Sequence, residues 1–294
     1  MLQAVPQRTR NSAEVQHAPL AGGRLHLNEG PIDLVIGAKG QMNAVRAAYT
    51  AAAKRFDGLL DELVAELPLL RQPLGLDDTS LTGPIALRME RAVLRHSAVF
   101  VTPMAAVAGA VADETLAAMT ALPGLDKAYV NNGGDIAFHL TPTEHFKIGT
   151  VSNVKAAIPN GFIAIPADTE IRGVATSGAD GRSFSMGIAD AVTVLAQNAA
   201  AADVAATLIA NAVNTDHPSI HREPAQSLDP DNDLCDRLVT VSVGKLPVEL
   251  VAQALEAGAA CAESMRRGGS IRGALLRCQG QVRIVADDNI LRAR

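Results

Sequence analysis

The stretch that decides the fold is residues 173–214, GVATSGADGRSFSMGIADAVTVLAQNAAAADVAATLIANAVN. It holds a strand candidate, Gly173 to Ser177, a small-residue polar turn, a second apolar run with strand character, Ala191 to Ala196, and an alanine-rich helix, Ala199 to Val213. Asp203 and Thr207 lie four residues apart on that helix, about 40° apart around its axis and roughly 6 Å apart at Cβ. They share one face, and their neighbours Ala199, Ala200, Ala201, Ala202, Ala205 and Ala206 offer no competing polar group. A carboxylate there needs a partner, solvent or a cation. Asp with a hydroxyl suits Mg²⁺ or Ca²⁺, which take hard oxygen ligands. An Asp supporting the first turn through the helix dipole is the other reading.

Upstream, Asn132-Gly133-Gly134-Asp135 separates two apolar strand candidates, Lys127 to Asn131 and Ile136 to Leu140. Paired glycines allow positive φ and leave the backbone N–H groups unscreened, so the turn can lie against a ligand. Asn-Gly is equally a hairpin signal, and both readings stay open. Thr176-Ser177-Gly178, followed by Gly181-Arg182-Ser183, supplies hydroxyls and backbone donors of the kind that hold a phosphate or carboxylate oxygen; solvated loops use the same residues.

Further out, two short strands are expected at Arg24 to Leu27 and Ile32 to Gly37, with residues 1–22 a poorly ordered leader. Apolar residues at helical spacing predict one long helix from Gln41 to Leu67, ended by Pro68. Met104 to Leu122, alanine-rich and uncharged until Asp113 and Glu114, reads as a buried helix. Strands at Phe146 to Val151 and Gly161 to Ile165, a polar loop to Asp236, a strand at Leu238 to Val243, a helix from Val248 to Met265 and a terminal hairpin complete the pattern. The order favours a mixed α+β domain over residues 23–294, as one body or two lobes.

The 294 residues are 48% apolar and 19% charged, enough to bury a full core. With net charge -5, pI about 5.8 and scattered basic residues, the chain lacks the footprint of a nucleic-acid binder. Cys235, Cys261 and Cys278 form no CxxC and suggest neither zinc nor a disulfide framework. No signal peptide and no membrane-length apolar run is visible, so a cytoplasmic enzyme is expected. His217 and His221 sit in a Pro-containing loop unsuited to zinc. Asp229, Asp231 and Asp233 resemble an EF-hand opening but lack its Gly and terminal Glu.

Taken in order, Met104 to Asp113, Val130-Asn131-Asn132-Gly133-Gly134-Asp135-Ile136, Thr176-Ser177-Gly178 and Ala202-Asp203-Val204-Ala205-Ala206-Thr207 resemble the ApbE-like family, the FAD:protein FMN transferases and their uncharacterised relatives. The resemblance implies a T-fold-like α+β architecture. It further implies Mg²⁺ held by Asp203, Thr207 and a main-chain carbonyl, and FAD against Asn132, Gly133, Gly134, Asp135, Thr176, Ser177 and Gly178. The implied activity is transfer of FMN to a Ser or Thr hydroxyl of an acceptor flavoprotein. Two positions depart from the transferase pattern. Ala108 replaces a Lys, and Ser183-Phe184-Ser185-Met186-Gly187-Ile188-Ala189-Asp190 replaces a His-containing segment, as in a distinct branch. Asp190, the nearby carboxylate that can stand in for the missing base, and Ser185 are then the candidate catalytic residues. A non-catalytic flavin- or nucleotide-binding accessory protein, or another enzyme on the same fold, remains open, as does a homodimer.

Overall fold

A computed structural model describes residues 15–73, 80–151, 159–179, 181 and 183–286. The chain begins with three strands, β1 (Gln16–Leu20), β2 (Arg24–Glu29) and β3 (Ile32–Gly40), and continues through helices α1 (Met42–Phe56), α2 (Leu59–Leu70) and α3 (Pro84–Leu94). A short 3₁₀ turn, Pro103–Ala106, leads into α4 (Val107–Thr120). Strands β4 (Leu125–Asn132), β5 (Asp135–Leu140), β6 (His145–Val151), β7 (Pro159–Pro166), β8 (Gly173–Ser177) and β9 (Ala191–Ala196) follow, then α5 (Ala199–Ala212). The remainder is β10 (Ile220–Pro224), the single turn α6 (Ala225–Leu228), β11 (Leu238–Val243), α7 (Val248–Arg267), β12 (Gly273–Cys278) and β13 (Gln281–Ala286).

Nine strands form one antiparallel sheet in the order β1-β2-β3-β4-β5-β8-β9-β12-β13, a mixed α+β fold as the sequence pattern predicts. Side chains alternate across a strand, so the residues of β3 that point one way, Ile32, Leu34 and Ile36, are all buried beneath the helices. Two apolar clusters fill that layer, one with α1 to α4 and one with α7, and α5 belongs to both. Ala199, Ala200, Val204 and Leu208 pack in the first; Ala202, Ala205, Ala206 and Ile209 pack in the second. On the opposite face the β6–β7 ribbon covers Phe138, Val174 and Leu195, with Phe146 stacked on Phe138 at 4.7 Å between ring centroids.

Several boundaries differ from the sequence pattern for local reasons. Of the expected leader, residues 16–20 form β1 through backbone pairing with β2, and residues 1–14 lie outside the described residues. The expected helix from Gln41 to Leu67 is two helices, because Gly58 takes a left-handed φ of 78° and turns the chain. Pro68 lies inside α2 rather than ending it; the last turn continues to Leu70, which is fully buried, and Arg71 N–H donates to Leu67 O. The polar loop before Asp236 contains β10, made a strand by its pairing with β11.

The two alanine-rich helices that the sequence pattern predicts meet at their N-terminal ends. A Cβ on Gly109 of α4 would stand 2.3 Å from Ala199 O of α5, so only glycine allows this approach. Glycine within a helix normally costs about 1 kcal/mol against alanine; here the sign reverses. Gly109→Ala is expected to lower the unfolding free energy by roughly 1–3 kcal/mol, measured by urea denaturation. A gain in stability would show that the helices can part without cost.

Candidate functional site

A cavity of about 470 Å³ lies where the β4–β5 turn, the end of β8 and the middle of α5 converge. Asn132, Gly133, Gly134 and Asp135 line it from the turn, Thr176, Ser177 and Gly178 from β8, and Asp203 and Thr207 from α5, with Asp190 alongside. All the residues expected to hold a cofactor or metal are therefore gathered around one space.

Each group arrives by a separate local rule. The alternation that buries Ala128 and Val130 of β4 carries Asn132 to the same face, where its Nδ2 donates to Ala108 O at 3.1 Å. Gly133 and Gly134 take φ of 63° and 120°, and Asn132 pairs directly with Asp135, so the segment is a two-residue hairpin turn. The turn is a hairpin, and it also lines the cavity. No protein atom would touch a Cβ on Gly134, so within the fold its φ of 120° is what calls for glycine. Asp135, 9% exposed, accepts the Thr176 N–H at 3.1 Å and ties the turn to β8. Thr176 Oγ1 shares a hydrogen bond of 2.9 Å with Thr193 Oγ1. Gly178 presses on the segment that follows, where a Cβ would lie 2.5 Å from Asp190 O.

Asp203 does not stabilise the start of its own helix. Its Oδ2 accepts the Gly109 N–H at 3.0 Å, capping the first turn of α4 instead. In return Asp113 of α4 accepts the N–H groups of Ala199 and Ala200 at 3.0 and 2.9 Å, capping the first turn of α5. Asn198 adds a bond of 2.8 Å from Ala201 N–H. Burial raises the Asp203 pKa well above the carboxylate range, the charge of Asp135 raises it further, and the N–H groups of Gly109 and Ala108 act against both. Two carboxylates that disfavour each other's charge, beside the Thr207 hydroxyl, form a hard-oxygen set of the kind a divalent cation neutralises. Among the described residues no three His, Cys, Asp or Glu side chains converge, so hydroxyl or main-chain oxygens would complete such a set.

Ser183 and Phe184 of the segment 183–190 are exposed, whereas Ser185 and residues 187–189 are buried. Ser185 is 4% exposed and does not line the cavity; Gly187 N–H donates to its Oγ at 3.2 Å, and its carbonyl accepts Thr240 N–H at 2.8 Å. Met186 N–H donates to Asn211 Oδ1 at 2.9 Å, and a Cβ on Gly187 would stand 2.0 Å from Ala210 O. Ser185, Met186 and Gly187 thus dock the segment on the C-terminal half of α5. Asp190 does reach the cavity, its Oδ2 accepting Gln279 N–H at 2.7 Å. Ser183 and Gly181 also line it, while Arg182 lies outside the described residues.

A family model described as AbpE bacteria matches residues 16–284. The chain belongs to this ApbE-like family. It is also similar to UPF0280 proteins. The one from Methanothrix thermoacetophila is 39% identical over 160 residues, covering 53% of this chain and 65% of the relative. That from Methanococcoides burtonii is 33% identical over 162 residues, covering 55% and 66%. That from Methanoculleus marisnigri is 43% identical over 121 residues, covering 41% and 49%. In each case the match spans less than two thirds of the relative's length. No helix among the described residues is long and apolar enough to cross a membrane.

Asp113 is the residue that the motifs did not single out. Its signal was present: Gly109 and Asp113 stand four apart on α4, one facing Ala199 and the other taking its N–H. Burial pushes the Asp113 pKa up from 3.8 to about 6, against the Ala200 and Ala199 N–H groups and the Arg88 charge. The folded protein thus holds this proton more tightly than the unfolded chain, and stability falls as pH rises between those two values. The expected loss from this group is about 2–3 kcal/mol. Asp113→Asn should flatten that part of the profile, read from denaturant unfolding at pH 4, 5, 6 and 7; an unchanged slope would remove the assignment.

Proposed function

We propose that the cavity binds FAD, or a related flavin nucleotide, together with Mg²⁺ and transfers FMN to a Ser or Thr hydroxyl of an acceptor protein. The observation that carries this reading is the convergence of the Asn132–Asp135 turn, the Thr176–Gly178 strand end and the Asp203–Thr207 helix face on one cavity, in a chain of the ApbE-like family. Asp203 and Thr207 would hold the cation, with a main-chain carbonyl such as that of Ala108 and with Asp135 close by. Mg²⁺ bound there would neutralise pyrophosphate charge and ease departure of AMP.

The protein's own groups divide the remaining work. The glycine turn presents backbone to the flavin without side-chain bulk, and Thr176, Ser177 and Gly178 face the phosphates. The acceptor hydroxyl oxygen forms a bond to the FMN-side phosphorus, the P–O bond to AMP breaks, and AMP leaves with the electron pair. The proton released by the hydroxyl passes to the Asp190 carboxylate, which the Gln279 N–H holds in place. Ser185 has no part in this scheme, because its side chain is enclosed away from the cavity.

One observation favours a second reading, binding without turnover. Among the described residues the cavity lining contains no Lys, Arg or His, so none of these side chains offers a cation to the charge expected to develop on the phosphates. Purified protein incubated with FAD, Mg²⁺ and candidate acceptors separates the two. Transfer yields an FMN adduct on the acceptor by mass spectrometry, and Asp203→Ala lowers its rate by about 100-fold or more. Saturable FAD binding with an intact FAD pool supports the accessory reading. Absence of FAD binding with and without Mg²⁺ overturns both.

A further inference from the structure

A second recess lies at the start of α5 and shares no lining residue with the cavity described above. Arg88 and Arg91 of α3 and Arg95, the residue that caps its end, line it at spacings of three and four residues, with His96 next to them. The recess measures about 220 Å³ and adjoins another of about 400 Å³, which shares Arg95, His96 and Ser270. Together they make a groove between the end of α3 and the turn that follows α7.

The charges in this groove are not balanced from within. Arg88 is spent on Glu114 at 2.8 Å. The guanidinium groups of Arg91 and Arg95 and the hydroxyl of Ser270 have no hydrogen-bond or ion-pair partner among the described residues. Asp113 is the carboxylate facing them, and it is committed to the N–H groups of Ala199 and Ala200. Those N–H groups are consequently not available to a ligand, and recognition falls to the side chains. Like charges four residues apart on a helix repel each other. Burial, and then the neighbouring charge of Arg95, holds the His96 pKa below its ordinary value, so this cationic field reaches the groove wall.

We infer that this groove is a separate binding site for a dianionic phosphate group, gripped by Arg91 and Arg95 and met from the opposite wall by Ser270. Guanidinium forks match phosphate oxygens two at a time, and a dianion removes the repulsion that the empty pair carries. The shared chemistry fits free phosphate and the terminal phosphate of a small metabolite. It does not depend on flavin transfer in the other cavity.

Titration calorimetry at constant ionic strength, with inorganic phosphate in one arm and glucose 6-phosphate in the other, tests the assignment. Saturable binding in the millimolar range or tighter is expected in at least one arm. Binding in both points to the phosphate group itself, and binding of glucose 6-phosphate alone to the phosphate of a small metabolite. The double variant Arg91→Gln with Arg95→Gln should weaken binding at least about tenfold while keeping the wild-type thermal midpoint, since both side chains are exposed. The assignment is overturned if neither probe saturates at 20 mM (roughly 2.3 kcal/mol of binding free energy) or if the double variant binds unchanged.

Discussion

The reciprocal capping of α4 and α5 is the interaction on which the rest of the structure depends. A helix start leaves four N–H groups without partners, and here two buried starts meet, so the cost would fall where water cannot relieve it. Each helix meets the other's need with one carboxylate. Asp113 takes Ala199 and Ala200, and Asp203 takes Gly109. The exchange works only at close range, which is why Gly109 stands where a Cβ would strike Ala199 O and why the first turn of α5 is all alanine. Hydrogen bonds to charged groups are worth about 1.5–3 kcal/mol each. This crossing therefore offsets part of the desolvation of both carboxylates while fixing two helices in register.

That register places the chemistry. Because α5 contributes to both apolar clusters, its orientation is set from two sides, and Asp203 and Thr207 cannot turn away from the cavity without unpacking one of them. The same carboxylate that caps α4 also faces Asp135, which is itself tied to β8 through Thr176 N–H. Structural and candidate ligand roles thus fall on the same side chains. The raised proton affinity of Asp203 follows from that double use: the fold holds this acid away from water beside Asp135 and relieves it only in part with backbone donors.

The segment 183–190 shows a different division. Ser185, Met186 and Gly187 dock on the end of α5 through Asn211, Ala210 and Val213, leaving Ser183 and Asp190 at the cavity and Ser185 enclosed. A stretch that departs from the transferase pattern has here become part of the wall. Those eight residues and Ala108 are where the sequence departs from the pattern that the family resemblance implies.

Periodicity alone identified most elements, since β8 at Gly173–Ser177, β9 at Ala191–Ala196 and β11 at Leu238–Val243 carry their own apolar patterns. The spacing of Asp203 and Thr207 likewise determined a shared helix face, because four residues is close to one turn. Pairing and crossing were beyond local pattern. β1 and β10 are strands because a neighbour supplies their hydrogen bonds, and the helix expected from Gln41 to Leu67 breaks at Gly58 although the apolar rhythm runs through it. Only the tertiary structure decided that Asp203 caps α4 rather than α5, that Asp113 matters at all, and that Ser185 and Asp190, five residues apart, face different surroundings. Sequence encodes which face a side chain occupies; what that face meets is set by contacts between segments far apart in the chain.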